Sequence, residues 1–297
     1  MKIFARAALS LFAAALAGST IPVHAQDAPP TVFRSGVDVV SITAVVRDRH
    51  HHVVRSLTPN DLRVFDAGEP QTILEMRSEA SAPASVALLI DGSGSMRLGA
   101  ASEAAHRISE AVLDSLDSAR DDAALMTFDR RLVTVHGFTH DFDSLRASLD
   151  TVEAWGMTSL YDAIAGTAGI VGDRTHNRRA VIVLTDGADT GSSYRPEEVS
   201  RIASSIDVPV YNFALGDMVN PEDSLANLVR ETGGDLIVAN TPKLVDAGIH
   251  RLVDELRHQY LISFKANAFD GLRRVQVKAV RKDLEVRTRA WYFAGND

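Results

Sequence analysis

The chain has 297 residues and not one cysteine. That absence excludes disulfides, thiolate metal sites and cysteine nucleophiles. It also removes the lipid-modified cysteine of a lipoprotein anchor. Positive charge is in short supply as well: 31 Lys and Arg stand against 39 Asp and Glu, for a net charge of −8. A nucleic-acid partner, which calls for a basic face, is therefore not expected. Beyond the N-terminus no run is long and apolar enough to span a membrane. Signatures of catalysis are scarce too. Gly92 and Gly94 flank Ser93 directly, so no G-x-S-x-G elbow forms around it. There is no G-x-x-x-x-G-K-[ST] phosphate loop and no H-E-x-x-H zinc helix. What is present is 45% hydrophobic and 24% charged residues. That composition can bury a core for one large domain, or for one domain and a smaller second one.

The first 25 residues read as a cleavable leader. Lys2 and Arg6 form a basic start, residues 7–17 are apolar, and Val23-His24-Ala25 precedes Gln26 as a cleavage site. The apolar run is too short for a bilayer, which needs about 20 residues. A periplasmic or secreted location follows, with cleavage after Ala25 and a net charge of −10 once Lys2 and Arg6 are gone.

After a polar, proline-containing stretch (26–30), residues 37–47 and 53–54 read as a strand interrupted by the polar turn 48–52. Residues 57–61 read as a turn or short helical start. Residues 62–65 and 71–77 flank Asp66-Ala67-Gly68, a hairpin signal. Residues 78–85 are a linker by composition, and beyond them strands alternate with helices. Strands are expected at 86–90, 123–128, 132–135, 180–184, 208–214 and 236–238. Helices are expected at 100–116, 142–152, 159–170, 196–206, 221–232 and 242–257. The runs 86–90 and 180–184 are continuously apolar, as in strands buried on both faces. Such alternation predicts an α/β fold with a doubly wound, mostly parallel sheet. After His258 the pattern returns to strands, at 259–264, 273–280, 284–289 and 291–293. Neither β-rich end has three good strands and a helix cover by itself. The expected organisation is a leader (1–25), an N-terminal β segment (26–82), an α/β domain (83–257) and a C-terminal β segment (258–297) packing with the N-terminal one.

Chemistry concentrates at three loops. Asp91, Ser93 and Ser95 stand in DGSGS after the apolar run 86–90. Thr158 stands in WGMTSLYDAI at a helix start, and Asp186 follows the run 180–184 after one threonine. Open α/β sheets bind ligands beyond the carboxyl ends of their strands. In an extended loop, alternate residues 91, 93 and 95 can converge, with Gly92 and Gly94 leaving room between them. Two carboxylates and three hydroxyls are hard oxygen donors, suited to Mg²⁺ or Mn²⁺ and compatible with Ca²⁺, rather than to zinc. Each loop alone is ordinary turn chemistry; the three together are specific.

DGSGS, GMTSLYDAI and VLTDGAD resemble the metal-ion-dependent adhesion site of von Willebrand factor type A domains. The resemblance covers roughly residues 83–257 and includes VYNFALG (210–216) and LANLVRETGGD (225–235). It implies a doubly wound sheet with Asp91, Ser93, Ser95, Thr158 and Asp186 as direct or water-mediated ligands of a divalent cation. It also implies a non-enzymatic binding module whose protein partner offers an Asp or Glu carboxylate. One departure is Met157, where a second glycine often precedes the threonine; this is expected to alter the loop more than the site. The flanks, FRSGVDVVSITAVV, SLTPNDLRVFDAGEPQTI and QYLISF, are similar to bacterial exported proteins that carry this domain inside a β-rich module.

Two other readings stand beside it. The cation could only pin the loops, as a structural scaffold. A metal-dependent hydrolase would need a general base beside the ion, for which Asp189 is the nearest candidate in sequence. Met96, Arg97, Met157 and Tyr194 are expected around the rim. Of His50-His51-His52, at most His50 and His52 could share an ion, and with Asp48 nearby an exposed turn is the better reading. Thr232-Gly233-Gly234-Asp235 reads as a helix stop rather than a phosphate loop.

Overall fold

The computed structural model describes residues 39–78, 80–97, 101–152, 156–186, 189–215, 223–266 and 269–294. The expected leader lies outside them. A run rich in β-branched residues builds β1 (Val39–Asp48), followed by β2 (Leu62–Asp66), β3 (Glu69–Gln71) and β4 (Ile73–Arg77). The 57–61 segment is a single 3₁₀ turn, Pro59–Asp61, where the Asp61 carboxylate accepts from the Thr58 backbone N–H at 2.8 Å. Ala67 and Gly68 both have positive φ (49° and 91°) between β2 and β3, as a tight hairpin turn demands.

Then comes the α/β layer: β5 (Ala84–Asp91), α1 (Ala101–Ser115), β6 (Asp122–Phe128), β7 (Leu132–Thr139), α2 (Phe142–Leu149) and α3 (Leu160–Gly172). It continues through β8 (Arg178–Thr185), α4 (Pro196–Ser205), β9 (Val210–Ala214), α5 (Ser224–Glu231), β10 (Leu236–Val238) and α6 (Pro242–Arg257). Six strands form one sheet in the order β10-β9-β8-β5-β6-β7, parallel except for β7. Alternation within β5 serves two cores. Val86, Leu88 and Ile90 face Ile108 of α1, Leu145 of α2 and Leu252 of α6. Ala87 and Leu89 face Ile164 of α3, Val199 of α4 and Val229 of α5. That is the doubly wound arrangement expected of a strand apolar on both faces.

Several element ends differ from the sequence expectation, the strand at 132–135 running on to Thr139 and that at 86–90 beginning at Ala84; for three others the local reason is plain. The strand expected from residue 208 starts at Val210, because Pro209 has no N–H to give to a ladder. The helix expected to reach 152 ends at Leu149, where Thr151 and Val152 fold back in turn hydrogen bonds to the carbonyls of Ser148 and Leu149. The helix expected from 221 is described from Ser224, with the Asp223 carboxylate accepting from the Ala226 N–H at 2.7 Å as an N-cap. At its far end Gly233 takes φ 89°, and Gly233 and Gly234 donate back to the carbonyls of Arg230 and Val229. The helix-stop reading of Thr232–Asp235 therefore holds.

The C-terminal strands are β11 (Tyr260–Lys265), β12 (Gly271–Ala279), β13 (Leu284–Thr288) and β14 (Trp291–Ala294). They interleave with the N-terminal ones into two four-stranded sheets, β13-β1-β11-β4 and β14-β12-β2-β3. Ile42, Val46, Val64, Ile262, Phe264, Val277 and Tyr292 fill one core between them. The two ends of the chain thus make a small β-rich module together.

A buried ion network joins this module to the α/β layer. Arg47 of β1 and Arg287 of β13 both pair with Glu255 of α6, whose side chain is only 1% exposed. Asp235 adds contacts to Arg47 at 3.1 Å, Arg251 at 3.2 Å and Arg287 at 3.2 Å. Burial and the neighbouring Arg287 push the Arg47 guanidinium down to about 10, so it remains charged at neutral pH. At the amino end of the sheet, Arg257 of α6 forks onto Asp121, which also accepts from the Ala84 N–H at 3.0 Å and the Asp117 N–H at 2.7 Å. Among the described residues no helix is long and apolar enough to cross a membrane.

Two predictions follow from these networks. Glu255→Ala strands two buried guanidiniums and is expected to cost about 3–5 kcal/mol in urea unfolding. Burial alone would raise the Asp121 carboxyl, but its hydrogen bonds from Arg257, Asp117 and Ala84 leave it below the ordinary range. A depressed carboxylate stabilises the fold above its unfolded pKa of about 4 and loses that contribution as pH falls through the folded value. Asp121→Asn should therefore flatten the loss of stability below about pH 4 in acid-unfolding curves; an unchanged acid limb would refute this role.

Candidate metal centre

β5 and β8 are adjacent and parallel, with Ile90 opposite Leu184. Their carboxyl ends therefore open side by side, and Asp91 ends β5 while Asp186 follows the last residue of β8. Asp91 is buried, at 1% exposure. Its Oδ1 accepts from the Ser93 backbone N–H at 2.8 Å and its Oδ2 from the Thr185 hydroxyl at 2.6 Å. These bonds fix the carboxylate plane and turn the chain sharply at Gly92, whose N–H reaches the Phe128 carbonyl at 2.7 Å. Burial, the strongest influence, pushes the Asp91 carboxyl up, against the hydrogen bonds from Thr185 and Ser93, and the negative charge of Asp186 pushes it further.

Ser93 is buried and its Oγ lies 2.9 Å from the Oγ of exposed Ser95. Thr158, also buried, enters from a second loop just before α3. Gly156 in that loop takes φ 115° and its carbonyl accepts from the Gly94 N–H at 3.3 Å. That joins the DGSGS turn to the threonine loop. The third loop is tied to the second more tightly. Thr190 and Gly191 donate to the Thr158 carbonyl at 2.9 and 3.0 Å, and the Thr158 N–H donates to the Thr190 hydroxyl at 3.0 Å. All three sequence-identified loops therefore meet at one edge of the sheet. Asp186 is half-buried there.

The acids around this edge divide the work. Asp189 Oδ1 accepts from the Leu160 N–H at 2.9 Å and the Ser192 hydroxyl at 2.6 Å, so it caps α3 where Ser159 makes no side-chain cap. Asp162 accepts from the Ser193 and Tyr194 N–H groups at 2.9 and 2.8 Å. Both are committed to holding the third loop against the start of α3. Sequence reasoning missed Thr185; its signal was the threonine between a buried strand and Asp186. Of the expected rim, Met157 and Tyr194 are each 48% exposed, but Met96 is 1% exposed and belongs to the core under α1. Met96 is thus removed from the rim. The Arg97 side chain lies outside the described ones.

The donors fit a hard divalent cation: two carboxylates with unfavourable mutual charge, held at fixed loops, with hydroxyls between them. A six-stranded, mostly parallel sheet flanked by helices on both faces defines the fold class. Residues 86–188 match the von Willebrand factor type A domain family; this segment is a domain of that family. Solved structures share the fold. A von Willebrand factor type A protein from Catenulispora acidiphila is 14% identical at TM-score 0.50, over 88% of this chain and 76% of its own. Proximal thread matrix protein 1 from the mussel byssus is 18% identical at TM-score 0.52, over 65% of this chain and 51% of its own. A D319A mutant of the PilB minor pilin from Streptococcus sanguinis is 11% identical at TM-score 0.48; this chain spans 60% of its own length and 62% of the pilin's. At these identities the first two likenesses concern the fold alone, and nothing is drawn from the third. A search of curated proteins gave no match.

Asp189→Ala removes the cap of α3. It is expected to cost about 0.5–2 kcal/mol and to speed hydrogen exchange at the Leu160 amide. Unchanged protection of that amide would contradict the assignment.

Proposed function

We propose that this is an exported, non-enzymatic binding protein whose von Willebrand type A domain presents a divalent cation to an Asp or Glu carboxylate of a protein partner. Asp91 and Asp186 supply the charge, and Ser93, Ser95 and Thr158 complete or orient the shell, directly or through water. The ion is Mg²⁺ or Mn²⁺, with Ca²⁺ as a further candidate. Bound there, it supplies a Lewis-acidic anchor for a carboxylate oxygen. The observation that carries the reading is the meeting of the three loops, with Asp91 buried at their junction and its carboxyl pushed up by burial and, more weakly, by the charge of Asp186. Exposed Ser95, Met157 and Tyr194 offer the partner a contact surface around the ion.

Hydrolysis would require a free base beside the ion. The candidate picked out by sequence, Asp189, instead accepts two hydrogen bonds that cap a helix, which favours binding over turnover. A purely structural cation is the second reading, and it predicts indifference to added carboxylate ligands.

The test is thermal unfolding of the purified protein in EDTA, Mg²⁺, Mn²⁺ or Ca²⁺, beside Asp91→Ala. An ion at 100 times its dissociation constant should add about 2.7 kcal/mol to the wild type and nothing to the variant. A partner-binding assay should then collapse in chelator. No shift with any ion, with no heat in direct calorimetry, would sink the proposal.

A further inference from the structure

The histidine run is the feature that the proposed function leaves unused. His50, His51 and His52 form one wall of a groove of about 780 Å³ on the β10 edge of the α/β sheet, faced by His250 and Asp254 of α6. The turn itself is precisely hydrogen-bonded. The Asp48 N–H donates to the His52 carbonyl and the His51 N–H to the Asp48 carbonyl, both at 3.0 Å. His51 sits in the left-handed region, at φ 63°. That kink undoes the strict alternation of an extended chain and brings the His50 and His52 rings to 6.2 Å between centroids, tilted by 39°. With metal–nitrogen bonds of about 2.0–2.1 Å, two imidazoles in neighbouring coordination positions stand roughly 4.5–5 Å apart between centroids, so these exposed rings close on one ion by turning inward by about 1 Å.

Asp48 supplies the supporting contact. Its Oδ1 accepts from the N–H groups of His50 and His52 at 2.8 and 3.0 Å. Its Oδ2 lies 3.4 Å from His52 Nδ1. A carboxylate against Nδ1 favours the tautomer that carries its proton there and leaves Nε2 as the lone-pair donor, the usual preparation of a histidine ligand. The His52 side chain is 80% exposed, so Nε2 is accessible from solvent.

We propose that the His50–His52 turn is a second metal site, for a borderline-soft divalent ion of the zinc, copper or nickel class, chelated by these two imidazoles and oriented by Asp48. Imidazole nitrogen selects that class, whereas the oxygen donors at the strand ends select hard ions. Among the described residues no three His, Asp or Glu side chains form a closed cage. The site is accordingly an open two-histidine chelate whose remaining positions face solvent and the groove. It is independent of the cation proposed at Asp91.

Calorimetric titration of the purified protein with ZnCl₂, in saturating Mg²⁺, tests it. One zinc-binding step is expected. His50→Ala and His52→Ala should each weaken it at least 10-fold. Asp48→Asn should weaken it on the order of 10-fold through ligand orientation. His51→Asn, which tolerates the same backbone, should stay within about 2-fold, and Asp91→Ala should leave the step intact. Unchanged melting without zinc shows that the variants fold. Absence of a binding step overturns the proposal. So does a step that survives both His→Ala changes, or one that disappears with Asp91→Ala.

Discussion

Everything at the candidate metal centre depends on one pairing, the parallel ladder between β5 and β8. Ile90 stands opposite Leu184, so both strands release their chains at the same edge with an acid in each exit. Water would ordinarily separate two such charges. Here the ladder fixes one, and the loop after the other is laced to α3 through Asp189 and Asp162. The proposed cation would therefore meet donors whose placement is set by the sheet and not by the ligand.

With no cysteine available, any metal chemistry of this chain falls to oxygen and imidazole donors. The proposed hard-ion site draws on oxygen donors at the strand ends, and the proposed second site on two of the ten histidines, in the turn after β1.

How much of this could be read beforehand differs from element to element. The runs VALLI and AVIVL announce buried parallel strands, since five apolar residues between turn signals are too few for a buried helix and suit a strand covered on both faces. The loops after them were legible because the donors are contiguous in sequence. The ties between loops were not, for they join residues about 30 positions apart, such as Leu160 with Asp189, and no local pattern marks them. Met96 was misread for a related reason: it follows DGSGS in sequence, but the short helical turn at Gly94–Arg97 rotates it inward. The Glu255 network was invisible as well. Its partners, Arg47 and Arg287, belong to strands at opposite ends of the chain, and charged residues in an alternating strand ordinarily read as its solvent face.

The interleaving of the two chain ends has a consequence for the order of assembly. β1 and β2 leave the ribosome early, yet their partners β11, β12 and β13 are made last. The α/β layer closes over shorter separations, its longest pairing being β5 with β8, and can form while the first strands still wait with unpaired edges. Pairings of such long sequence separation are slow to close, and exposed strand edges invite association with other chains. The β-rich module is therefore a late clasp. Until residues 260–294 arrive, the nascent chain carries β1 and β2 as adhesive edges that need a chaperone or rapid completion to keep them from the wrong partner.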